Sequence, residues 1–115
     1  MIKIKRIYEQ VDKEDGYRVL VDRLWPRGIT KEAAVLDEWN KAVAPTPELR
    51  QWFHHQPALF AGFKQRYKNE LKEQQEELLR LRSIAGREPL TLLYAAKETA
   101  INHAIVLKDV LESMK

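Results

Sequence analysis

Leu90-Thr91-Leu92-Leu93-Tyr94-Ala95-Ala96 reads as a strand buried on both faces of a sheet, because it lacks the polar alternation of a half-exposed strand. Pro89 leads into it and Lys97 follows it. A strand covered on both sides needs helices above or below, and the flanking sequence supplies them. About residues 100–114 form a final helix that buries Ala104, Leu107, Leu111 and Met114 on one side. Upstream, a long helix over about 57–85 carries Phe60, Phe63, Tyr67, Leu71, Leu78 and Leu81 as an apolar stripe, interrupted at Gln74. Gly86 stands at its end as a C-cap.

The N-terminal half reads as strands and turns. Ile2, Ile4 and Ile7 alternate at first with Lys3 and Lys5, the period of a half-buried strand. A turn cluster from Asp12 ends in Asp15-Gly16, a pair that favours positive φ. Tyr17 to Leu24 is β-branched and apolar at its centre, and Trp25-Pro26-Arg27-Gly28 stops it. If these two strands are neighbours, their short connection requires them to be antiparallel. Thr30 caps a short helix over Lys31 to Ala34, and Val35 to Val43 leans toward a further strand. Thr46-Pro47-Glu48 starts another helix, with a capping hydroxyl, a proline at the first position and an acid in the first turn. The expectation is a single α/β domain over 1–115: a small mixed sheet of three or four strands covered by helices.

Composition narrows the class of protein. At 115 residues, 44% hydrophobic and 32% charged, the chain has the make-up of one globular domain. No apolar run approaches a membrane span, so no membrane partner is expected. Met1-Ile2-Lys3-Ile4-Lys5 lacks the apolar core of a secretory signal. The absence of cysteine excludes disulfides, thiolate zinc sites and cysteine nucleophiles, and it suits a cytoplasmic location. Residues 1–31 carry eight Lys and Arg against five Asp and Glu, so the whole excess of +3 lies in the first third. That is enough to attract an anion and modest for a dedicated nucleic-acid binder.

Two segments combine strand ends with polar chemistry. In Asp22-Arg23-Leu24-Trp25-Pro26-Arg27-Gly28, Arg23 and Arg27 offer planar forks suited to phosphate or carboxylate. Trp25 either stacks on a ligand or plugs the core, and Arg23 either holds an anion or ties the loop to a carboxylate. The second segment joins Tyr94 and Lys97 to Asn102-His103 at the start of a helix, a place where anions gather. Arg6, on the first strand, adds a fourth cation. The expected ligand-binding set is therefore Arg6, Arg23, Trp25, Arg27, Tyr94, Lys97 and Asn102. Proton transfer falls to His103, Asp22 and His54, in that order.

A metal site is not expected. Adjacent His54 and His55 on a helix point about 100° apart and cannot chelate one ion. No phosphate loop, serine elbow or dinucleotide fingerprint occurs, and no cofactor is implied. Glu70 adjoins the apolar stripe, where it either pairs with a basic residue or serves the helix surface.

Several stretches together resemble the YeaO-like family of small bacterial proteins, domain of unknown function 488. They are Arg18 to Gly28, Leu36-Asp37-Glu38-Trp39, Pro45 with Glu48-Leu49-Arg50, Leu90 to Lys97, and Asn102-His103-Ala104. The resemblance covers essentially the whole chain in order. It implies that the two strand-end segments belong together, and it brings no established reaction. The residues favour a small anionic ligand: a nucleotide, nucleoside or sugar phosphate, held by Arg23, Arg27 and Lys97. The alternatives are a nucleic-acid-binding or regulatory module, and an interaction domain without a small ligand. Turnover and oligomeric state are left open.

Overall fold

The computed structural model describes residues 1–114. Strands β1 (Ile2–Arg6), β2 (Tyr17–Leu20), β3 (Glu38–Trp39) and β4 (Leu90–Tyr94) form one sheet in the order β1-β4-β2-β3. Five α-helices accompany them: α1 (Lys31–Ala34), α2 (Pro47–Phe53), α3 (Phe60–Leu71), α4 (Gln75–Ala85) and α5 (His103–Ser113). The α/β class expected from the sequence holds.

The sheet is parallel throughout, not mixed. β1 and β2 are not neighbours, because β4 lies between them and pairs Leu90 with Ile2 on one side and with Tyr17 on the other. The short connection over residues 7–16 thus crosses one face of the sheet instead of closing a hairpin. All five residues of β4 are buried, as its apolar run requires. Its one polar member, Thr91, donates its hydroxyl to the carbonyl of Asp15 at 2.7 Å.

The two faces differ. On one, Val19, Leu90, Leu92 and Tyr94 pack with residues of α3, α4 and α5, among them Tyr67, Leu78, Leu81, Leu107 and Leu111. Each such side chain contributes on the order of 1.5–3 kcal/mol by leaving water. On the other face a smaller cluster of Ile7, Leu20, Ala34 and Leu93 takes in Trp25 and Trp39. Beside it lies a buried ionic knot. Asp15 meets Arg18 at 2.5 Å and Lys5 at 3.1 Å, and Arg18 also donates to the carbonyls of Ala34 and Val35. Burial alone would raise the Asp15 pKa; the amide of Asp12, Lys5 and Arg18 outweigh it and hold the carboxyl below its usual value.

Local signals account for most boundaries. Thr30 and Thr46 cap α1 and α2 through their hydroxyls, and Pro47 occupies the first turn of α2. The helix expected over 57–85 is interrupted. A 3-10 turn at Pro57–Leu59 precedes α3, and a second at Lys72–Gln74 separates α3 from α4. The apolar stripe offers only Gln74 and Gln75 one turn beyond Leu71, so no core contact holds that turn in α register. α5 begins at His103 instead of near residue 100, because Asn102 is its N-cap and accepts from Ile105 N–H at 3.0 Å. The strand expected within Val35 to Val43 contracts to Glu38–Trp39.

Candidate functional site

After β2 the chain turns toward the face carrying Trp25 and Ala34; after β4 it turns toward the helical face and α5. Neighbouring parallel strands whose exits diverge leave a crevice at their carboxyl ends, the place where open α/β sheets hold ligands. A cavity of about 620 Å³ occupies this crevice. That is the size of a small-molecule site. Asp22 and Arg23 reach it from β2, Lys97 and Glu98 from the loop after β4, and His103 from the first turn of α5. Arg50 of α2 and His55 just beyond that helix complete the polar lining.

Asp22 and His103 form the centre of the site. The Asp22 Oδ2 accepts the Ala95 N–H at 2.9 Å, and Oδ1 lies 2.9 Å from His103 Nε2. The same Nε2 is 2.9 Å from the carbonyl of Val21. Both its partners are acceptors, so Nε2 carries the proton and, in the neutral ring, Nδ1 is left as an acceptor. Tyr67 stands edge-on to this imidazole with ring centres 6.3 Å apart. Its own hydroxyl donates to the carbonyl of Val43 at 2.5 Å. Burial above all, then the charges of Asp22 and Glu70, push the Tyr67 phenol well above its usual pKa.

The arginines divide into ties and free cations. Arg23 lines the cavity while its Nε and Nη2 donate to the carbonyls of Pro45 (2.8 Å) and Ala44 (3.3 Å). It fastens the segment before α2 to the end of β2. Arg6 does the same for β1 and β4, donating to the carbonyls of Ala96 at 2.9 Å and Ala95 at 3.2 Å. Arg50 and Lys97 are exposed and make no side-chain hydrogen bond or ion pair among the described residues. Among the described residues Glu70 reaches no cation either; it accepts from the amide and hydroxyl of Thr46, at 3.0 and 2.6 Å, and steadies the start of α2.

Of the residues expected from sequence, Asp22, Arg23, Lys97 and His103 meet at the cavity. Asn102 is buried beside it as the α5 cap, and its amide donates to the carbonyl of Glu98 at 2.9 Å. Tyr94 is only 2% exposed and belongs to the core. Trp25 lies on the opposite face, edge-on to Trp39 with centroids 5.3 Å apart, and donates to the carbonyl of Ile29. Arg27 is exposed on the loop beyond it, away from the cavity, where its carbonyl receives the Tyr8 hydroxyl. His54 is exposed and caps α2 in a left-handed conformation, outside the lining.

Arg50, His55 and Glu98 are the lining residues that sequence reasoning missed. His54 and His55 adopt φ of 44° and 54° in succession, so the chain reverses sharply and only the second histidine reaches the cavity. The His-His pair marked the place; a two-residue reversal decided which ring counts. Arg50 lies one turn into the helix capped by Thr46, and nothing in that local pattern indicates what the helix faces.

Among the described residues no group of histidine and carboxylate side chains is arranged to hold a metal ion. No helix among them is long and apolar enough to cross a membrane.

Residues 1–115 match a family model described as the inactive DUF488-N3 subclade. The chain is 50% identical over 113 residues to the uncharacterised protein YeaO of Escherichia coli, covering 98% of each chain. It is 44% identical over 110 residues to the uncharacterised protein Rv3073c of Mycobacterium tuberculosis, covering 96% of this chain and 92% of that one. No solved structure matches it.

Proposed function

The chain belongs to the DUF488 family, and from that premise we propose that it binds a small anionic ligand in the cavity between the ends of β2 and β4. The candidates are a nucleotide, a nucleoside phosphate or a sugar phosphate, met in the cytoplasm. One observation carries the reading: Arg50 and Lys97, both without a protein partner among the described residues, line the same 620 Å³ cavity. Two unpaired cations on different elements around one crevice suit a ligand with at least one negative charge. Arg23 shapes the wall, and its remaining donor capacity adds to the positive field. Asp22 and His103 supply an acceptor pair at the centre.

Binding without turnover is the form of this reading that the family description supports, since the matching subclade is described as inactive. The cavity lining holds no Ser, Thr, Tyr or Cys to act as a nucleophile.

Thermal unfolding against nucleotides, nucleosides, sugar phosphates, inorganic phosphate and short DNA and RNA, at low and high salt, tests it. A ligand at 100 times its Kd stabilises by about 2.7 kcal/mol, several degrees for a domain of this size. The expected result is a shift with one small-molecule class that persists in salt and is lost in Lys97→Ala. A response confined to polymers and abolished by salt would replace this reading with nucleic-acid binding. No response to any anion would remove the ligand altogether.

A further inference from the structure

We infer that the ligand is a phosphorylated sugar and not a nucleotide; this rests on the cavity reading above and narrows it. The charge pattern gives the first reason. Arg50 and Lys97 are exposed at the cavity, whereas Asp22 and His103, each 14% exposed, lie deeper. An anionic group bound by the exposed cations leaves the rest of the ligand against the Asp22–His103 pair. That pair, with the Glu98 carboxylate beside it, presents acceptors: the remaining lone pairs of two carboxylates and the Nδ1 of an imidazole whose Nε2 proton is already committed. Acceptors gathered at one end of a cavity select a partner rich in hydroxyl donors. A sugar has those; a bare anion does not.

Size and wall chemistry separate the remaining candidates. The cavity volume of about 620 Å³ far exceeds what inorganic phosphate alone would fill. No Trp, Tyr or Phe ring lines it. Trp25 is engaged with Trp39 on the other face of the sheet, and Tyr94 is sealed in the core. The nearest phenyl rings, Phe53 and Phe63, sit behind a recess of about 30 Å³, room for a water and not for a base. Around the cavity the apolar surface comes from small or aliphatic groups such as Pro45, Pro57 and Ile101. A nucleobase would forfeit the aromatic stacking that ordinarily holds it.

Isothermal titration of the whole protein with ribose 5-phosphate, glucose 6-phosphate, ribose, inorganic phosphate, AMP and adenosine decides the matter. The expected result is that one of the sugar phosphates binds at least about tenfold more tightly than AMP, ribose or inorganic phosphate. Lys97→Ala and Arg50→Ala, both exposed positions, should each weaken that binding while the protein stays folded. Asp22→Asn should weaken it too, if it folds, and reduce the preference over inorganic phosphate. AMP binding as tightly as the sugar phosphates would overturn this inference and leave the anion cavity standing. Sugar-phosphate binding unaffected by both cation variants would overturn the placement of the phosphate and with it the inference. Failure of all six compounds to bind would overturn the inference and count against the cavity reading as well.

Discussion

Asp22 and His103, separated by most of the chain, meet at 2.9 Å because β2 and β4 lie side by side and α5 starts where β4 ends. Asp22 also receives the Ala95 N–H, so one carboxylate joins the end of β2, the end of β4 and the first residue of α5. Asp22→Ala should therefore destabilise the protein by about 1–3 kcal/mol, the cost of leaving a partly buried donor unpaired. Urea unfolding measures this. A midpoint unchanged from wild type would mean that water replaces the carboxylate without cost.

The ionic knot on the other face should be costlier to break. Arg18 and Asp15 are about 3% exposed, and Lys5 completes the group. Asp15→Ala leaves a buried guanidinium without its counter-charge and should cost about 3–5 kcal/mol. Replacing both Asp15 and Arg18 by apolar residues should cost less than Asp15→Ala alone, because no buried charge is then stranded. Comparing the two in urea tests that ordering.

Stability should fall in acid. The Asp15, Glu38 and Glu77 carboxyls are all held below their usual pKa; for Asp15 and Glu38 burial opposes the shift, and charge partners and hydrogen bonds outweigh it. Glu38 and Glu77 owe it chiefly to Arg80, which bonds both. A depressed folded-state pKa contributes stability above the unfolded pKa, near 4, and that stability is lost as pH falls through the folded value. Thermal midpoints should drop steadily below about pH 4–5, and Arg80→Ala should shrink the drop. An identical acid profile in that variant would contradict the assignment.

The alkaline side has a different origin. The buried Tyr67 phenol holds its proton well above 10.0, so it adds stability below its unfolded pKa that is lost as pH rises through the folded value. Tyr67→Phe loses the bond to Val43 and is less stable at neutral pH, yet it should show a smaller loss above about pH 10 than wild type. Parallel curves for the two proteins would remove this contribution.

Two glycines with positive φ make a paired test. A Cβ at Gly16 (φ 65°) would sit 2.2 Å from the carbonyl oxygen of Pro89, a backbone atom that cannot yield. At Gly28 (φ 76°) a Cβ meets nothing within 4 Å. Gly28→Ala should cost about 1–2 kcal/mol, the left-handed penalty alone. Gly16→Ala should cost distinctly more and may be read from the difference in urea midpoints. Equal costs would show that the crossover can move away from β4.

Local chemistry made much of this architecture legible. The caps at Thr30 and Thr46, the proline at the start of α2 and the unbroken apolar run of β4 act within a few residues, and each appears as read. Asp22, Arg23, Lys97 and His103 were readable as site residues because they stand at strand ends, where side chains leave the core. Arg27 and Trp25 stand in the same loop and yet lie elsewhere, since that loop turns to the opposite face only a few residues beyond Arg23.

By itself the sequence determined the α/β class, the central buried strand and the polar character of the strand ends, all set by patterning and capping over short range. Tertiary structure alone decided that β4 inserts between β1 and β2, which makes every pairing parallel and creates the divergent exits around the cavity. It also brought Arg50 and His55 to that cavity and turned Arg23 and Arg6 into ties. The physical reason is the same in each case: contacts between distant segments depend on strand order and chain direction, and no local periodicity encodes either.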